Sequence, residues 1–176
     1  MSEPLKIGID VTALVLIYFL VLYPKWKTKK RDYFAVNTVM YIYLGFVMYF
    51  TLMPVIVNIP FMFSHAYTIN IIPFVDYINE WGDYMRDIFL NVLMTIPFGF
   101  LFPLTQGKNK RGFLRTVLFT FLLSFAIELS QFILVDYRLT DITDIITNTL
   151  GGMIGHMFYH LTQTESHALR MKIRNR

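Results

Sequence analysis

The sequence predicts an all-α fold: a polytopic integral membrane bundle of about five transmembrane helices, N-terminus outside and C-terminus cytoplasmic. Three observations carry that expectation. The 176 residues are 55% hydrophobic and 17% aromatic, with a mean hydropathy of +0.49, and a water-soluble domain of this size has too little interior for so much apolar side chain. The apolar residues fall into runs long enough to cross a hydrocarbon core of roughly 30 Å. Lysine and arginine gather in alternate loops, as they do on the cytoplasmic side of a membrane.

Residues 7–23 (IGIDVTALVLIYFLVLY) form the first run, with Asp10 near its start. One lysine precedes it and no small-residue cleavage site follows, so a retained anchor is expected rather than a removed signal peptide. KWKTKKR, residues 25–31, comes next, and then a second span over residues 33–57 with Pro54 near its end. Residues 58–86 are mixed, aromatic and acidic. Ile72 precedes Pro73 and is expected to be extended. Residues 75–86 (VDYINEWGDYMR) suit a segment lying flat at the interface, with Tyr77, Trp81 and Tyr84 at headgroup level. The third span covers residues 87–104, with a kink expected at Pro97 and Gly99. Basic Lys108, Lys110, Arg111 and Arg115 follow the third span; the fourth covers 113–135 and the fifth 141–160. A four-span version, with the first run on the surface, is the main alternative topology.

One bundle accounts for the whole chain, with no internal repeat or low-complexity tract. The net charge of +4 comes from loop clusters. They are not interleaved with stacking aromatics on a soluble module, so no nucleic-acid partner is expected. The absence of cysteine excludes disulfides, thiolate nucleophiles and cysteine metal sites.

The polar residues concentrate in one hairpin, residues 124–155, at the junction of the fourth and fifth runs. An ionisable group at membrane depth costs of order 2.5–3.5 kcal/mol on insertion scales, so a cluster of them demands partners, water or a ligand. On the fourth run Ser124, Glu128 and Gln131 share a face at i, i+4 and i+7. Glu128 lies about 10 Å below the interface at about 1.5 Å per residue, too deep for a glutamate to reach water. It is expected to be protonated or paired with a cation, and Arg138 in the turn is nearest in sequence. On the fifth run Asp141, Asp144, Asn148, Gly151, Gly152 and Gly155 fall within an arc of roughly 100°. The acidic half of that arc suits a pocket. The Gly151-x-x-x-Gly155 half suits close packing on a neighbouring helix, or a homodimer contact. Asp87 and Asn91 at the start of the third span, with Thr95 below, and Asn70 upstream complete the candidate pocket.

Each of these residues has a plainer role available. Asp141 and Asp87 can cap helices and Asp144 can favour a helix dipole. Glu128 with Arg138 can simply hold the hairpin closed. Asn91 can serve as an interhelical bond and Asn70 can shape a turn. His156 and His160 are spaced i, i+4 without an acid nearby, which suits a helix C-terminus better than a metal.

The ordered series NIIPF (residues 70–74), DIFLNVLMTIPFGF (87–100), ELSQ (128–131) and RLTDITDIITNTLGGMIG (138–155) resembles the VanZ-like membrane proteins. The motif positions of that resemblance are Asn70, Pro73, Phe74, Asn91, Pro97, Gly99, Glu128, Gln131, Arg138, Asp141, Asp144, Asn148, Gly151 and Gly152. It implies a single VanZ-like transmembrane domain over residues 1–176, with the motifs in 70–155, in a bacterial plasma membrane. It also implies low-level resistance to glycopeptide and lipoglycopeptide antibiotics, notably teicoplanin. It assigns no catalytic residue.

Three mechanisms fit the residues. The leading one is an outer-leaflet polar pocket that binds or shields a membrane lipid or lipid-linked cell-wall precursor headgroup, or the lipoglycopeptide itself, with Arg138 bidentate to a phosphate or carboxylate. The alternative is an enzyme on lipid-linked substrates, with Glu128 as general acid or base and a divalent cation on Asp141 and Asp144; no other cofactor is implied. Transport is least favoured, because no inverted repeat is present.

Overall fold

The computed structural model describes residues 2–62, 69–78, 83–134 and 140–174. Its order is α1 (Glu3–Ile17), a π-helical stretch (Tyr18–Leu22), α2 (Tyr23–Trp26), α3 (Arg31–Thr51), β1 (Ile69–Asn70), α4 (Val75–Ile78), α5 (Tyr84–Thr105), α6 (Phe113–Leu134), β2 (Thr140–Asp141) and α7 (Ile142–Arg174). Among the described residues four helical stretches are long and apolar enough to cross a membrane: Glu3–Trp26, Arg31–Thr51, Tyr84–Thr105 and Phe113–Leu134. α7 carries the fifth expected run and continues beyond it.

The burial pattern is that of a protein whose surroundings are apolar. Thr116, Thr120 and Ser124 are wholly buried, while Leu114 is 81% and Phe50 71% exposed. In water this would be an inverted arrangement. In lipid, hydrocarbon gives no drive to bury leucine, and helices associate through small residues and hydrogen bonds.

α7 packs most extensively on α5 and next on α6. The α5–α7 seam is built from glycines. A Cβ on Gly155 would lie 2.0 Å from the Ile96 carbonyl oxygen, and one on Gly99 2.0 Å from that of Gly152. Gly151 faces Val92 and Thr95 in the same way. The close-packing half of the α7 arc therefore meets α5 of the same chain, which takes up the face considered for a dimer. Met40, Phe98 and Phe102 form an apolar cluster, with Phe102 stacked on Phe119.

Element boundaries differ in places from those the sequence suggests. α3 stops at Thr51, six residues short of the expected 57. Pro54 has no N–H to continue the helix, and the residue before a proline avoids helical geometry. The freed Val55 and Ile56 N–H groups donate to the Asp10 carboxylate instead, the latter at 2.9 Å. Asp10 is thus buried against the chain that follows α3. Within residues 75–86, α4 covers Val75–Ile78 and Tyr84 already belongs to α5, while Trp81 lies outside the described residues. The last helix starts at Ile142, so Asp141 precedes it.

Candidate functional site

The site grows from a two-residue parallel pairing between β1 and β2, Ile69 with Thr140 and Asn70 with Asp141. It brings the NIIPF stretch to the start of α7 across 71 positions of sequence. Asn70 Nδ2 donates to Asp141 Oδ2 at 3.1 Å, and the Ile72 N–H donates to Asn70 Oδ1 at 3.2 Å. Asp141 Oδ1 accepts the Thr143 N–H at 2.8 Å, an N-cap bond to the second helical residue. Asp141 therefore caps α7 and binds Asn70 at once; the plain and the functional roles coexist. Phe74 has φ 57°, uncommon for a bulky residue, and its N–H is held by Thr143 Oγ1 at 2.9 Å.

Asn91 Nδ2 donates to Asp144 Oδ1 at 2.6 Å, joining α5 to α7. Thr95 Oγ1 donates to the Asn148 carbonyl at 2.7 Å one turn deeper. Asp87 is exposed in the first turn of α5, but the N-cap position belongs to Asp83, whose side chain makes no capping bond.

A second polar set lies between α6 and α7. Asn148 Nδ2 donates to Ser124 Oγ at 2.9 Å, and the Asp141 N–H donates to Glu128 Oε2 at 3.2 Å. Gln131 Nε2 donates to the Thr51 carbonyl at 3.0 Å, tying α6 to the end of α3. Glu128 is 2% and Gln131 1% exposed. The sequence places Arg138 beside this group, but Arg138 lies outside the described residues.

A cavity of about 780 Å³ opens between α3, α5 and the start of α7. That volume falls within the range of about 300–1,000 Å³ typical of small-molecule sites. Its apolar walls include Phe46, Phe50, Leu90, Leu93, Met94 and Pro97, with Phe74 near the β1–β2 pairing. Asp87, Asn91, Asp141 and Asp144 line it, with Arg86 and Tyr84. At the deep end Tyr43 donates its hydroxyl to the Met94 carbonyl at 2.8 Å, one turn before Pro97.

The structure thus divides the polar cluster. Asp87, Asn91, Asp141 and Asp144 line the cavity. Ser124, Glu128, Gln131 and Asn148 form a closed layer behind it, and Asn70 reaches it only through Asp141. The opening lies between α3 and α5, where the sequence pointed to the fourth and fifth spans. Among the described residues no group of three or more His, Asp or Glu side chains is arranged to hold a metal. His156 is buried with Nδ1 2.9 Å from Thr116 Oγ1, and His160 is exposed at the far end.

Sequence reasoning passed over Arg86 as interfacial, and over Asp10, Thr116 and Thr120. The last two were within reach, because they continue the Ser124–Glu128–Gln131 face upstream in steps of four. Asp10 carried no such signal.

These features define a helical membrane-type bundle with a polar-ended cavity beside its α5–α7 seam. The chain belongs to the VanZ/LLP1 family, whose sequence model matches residues 40–163. It is 36% identical over 122 residues to Protein VanZ of Enterococcus faecium, covering 69% of this chain and 71% of that protein. No solved structure matches the chain.

Proposed function

We propose that this protein lowers susceptibility to teicoplanin-type glycopeptides by holding the headgroup of a membrane amphiphile in the α3–α5–α7 cavity. Family membership and the 36% identity to Protein VanZ support the resistance role implied by the resemblance. The observation that carries the mechanism is the cavity itself: aromatic and aliphatic walls beneath a rim of carboxylates and amides. Such a shape accepts a molecule that is apolar along its length and polar at one end.

The same end of the bundle gathers the start of α1, the end of α3, the starts of α5 and α7 and the end of α6. The basic residues Lys25, Lys27, Lys29, Lys30 and Arg31, and Lys108 to Arg115, sit at the other end. Under the positive-inside rule the cavity mouth faces the outer leaflet of the plasma membrane.

The test is expression of Asn91→Ala and Asp144→Ala in a teicoplanin-sensitive Gram-positive host, with membrane insertion checked by immunoblot. Both variants should lose protection. Stable insertion with protection intact would remove the cavity from the mechanism.

A further inference from the structure

We infer that the cavity takes a long-chain amphiphile with a positively charged amine headgroup, which enters sideways from the membrane between α3 and α5. The inference rests on the cavity reading above and adds both the route and the sign of the ligand's charge.

The route follows from exposure. Phe46, Phe50, Leu90 and Leu93 line the cavity and are also 61%, 71%, 46% and 50% exposed. Walls that face the cavity and the outside at once mark a lateral opening. In a chain with lipid around its apolar flanks, that opening meets acyl chains. Along α5 the cavity runs from Tyr84 to Pro97, about 20 Å at about 1.5 Å per residue. That is more than half of a hydrocarbon core of roughly 30 Å, enough to lodge a chain lying along the helix.

The sign follows from the rim. The charged groups that line the cavity among the described residues are Asp87, Asp141, Asp144 and Arg86. The Arg86 guanidinium lies 3.8 Å from Asp83, another acid, and both are largely exposed. Asp141 receives bonds from neutral donors, the Asn70 amide and the Thr143 N–H. Asp87 adds a second carboxylate at the mouth. An anionic headgroup there would meet like charge, whereas an ammonium would gain charge-assisted hydrogen bonds.

The experiment uses the full chain in neutral detergent micelles, with binding followed by native mass spectrometry. The probes are hexadecylamine, hexadecyl sulfate and butylamine. Hexadecylamine should bind saturably at one per chain, about tenfold or more tighter than the sulfate, the equivalent of one charge contact in a partly screened site. Butylamine should not bind detectably. Asp87→Asn should shrink the preference for the amine several-fold. Leu93→Trp, a bulky substitution at the lateral opening, should weaken both long-chain probes alike. Preference for hexadecyl sulfate, or an unchanged preference in Asp87→Asn, overturns the charge assignment while the cavity reading stands. Butylamine binding as tightly as hexadecylamine overturns lateral entry. Saturable binding of neither long-chain probe overturns this inference and the cavity reading together.

Discussion

The closed layer between α6 and α7 and the open cavity between α3 and α5 use the same chemistry to opposite ends. Both draw on carboxylate, amide and hydroxyl groups within the same end of the bundle. In the closed layer Glu128 accepts a backbone N–H, and Asn148 and Gln131 bridge helices while almost fully buried. In the cavity Asp87 is exposed, and Asp141 and Asp144 keep a face on open volume. What separates layer-forming from cavity-facing polarity is therefore packing, not residue type. A buried polar group in lipid holds helices in place, and one that lines a cavity also meets open volume.

The substitution with the largest expected effect abolishes the contrast, because it opens the α5–α7 seam and displaces α7, the helix that contributes to both regions. In Gly155→Leu the Cβ alone would lie 2.0 Å from the backbone oxygen of Ile96, and a backbone cannot swing aside. The expected loss exceeds about 4 kcal/mol, the range of severe packing disruption. It should appear as failure to yield a monodisperse peak on size-exclusion chromatography of detergent extracts. A well-behaved variant with wild-type melting would mean that α5 and α7 are not in backbone contact.

Asp10→Ala comes second. It removes the acceptor for two backbone N–H groups beyond α3, and hydrogen bonds to charged groups contribute about 1.5–3 kcal/mol each. We expect a lower melting temperature together with faster proteolysis across residues 52–58. Unchanged protease sensitivity would show that α1 does not hold that segment. The effect should reach the cavity, because Thr51 lines it and also receives the Gln131 bond.

The limits of sequence reading follow from the same physics. The helical runs were legible because a membrane span must be continuous and apolar. The α7 glycine face was legible because 3.6-residue periodicity places Gly151 and Gly155 together. The cavity-facing set was only half legible. Periodicity tells which residues share a face but not what that face meets, so Ser124, Glu128, Gln131 and Asn148 looked the same as Asp141 and Asp144. Two further features were out of reach. The pairing of Asn70 with Asp141 rests on two residues per strand, too few for any alternation to show. The cavity walls on α3 and α5, Phe46 and Leu93 among them, are apolar residues in apolar helices, where lipid-facing and cavity-facing side chains are chemically alike.

Asn148→Ala sharpens the comparison from the closed side. It deletes the bond to Ser124 and should cost about 1 kcal/mol, the scale of interhelical hydrogen bonds in membranes. Teicoplanin protection should persist. Loss of protection without loss of stability would move Asn148 into the ligand site and erase the boundary drawn between the two regions.

Asp87→Asn is the complement, with the smallest structural effect and the most specific functional one. The side chain is exposed, occupies no N-cap, and makes no ion pair with a described cation. Surface changes of this kind stay within about 0.5 kcal/mol, so the melting temperature in detergent should hold. Its carboxylate still lines the mouth, and asparagine keeps the shape while removing the charge. Protection should therefore fall in a variant that is inserted and as stable as the parent. The ratio of its inhibitory concentration to that of Asn148→Ala gives the contrast between the regions as a single number. A ratio of one, with both proteins equally abundant in the membrane, would mean that exposure to the cavity confers no functional weight. The division of this polar cluster would then be one of packing alone.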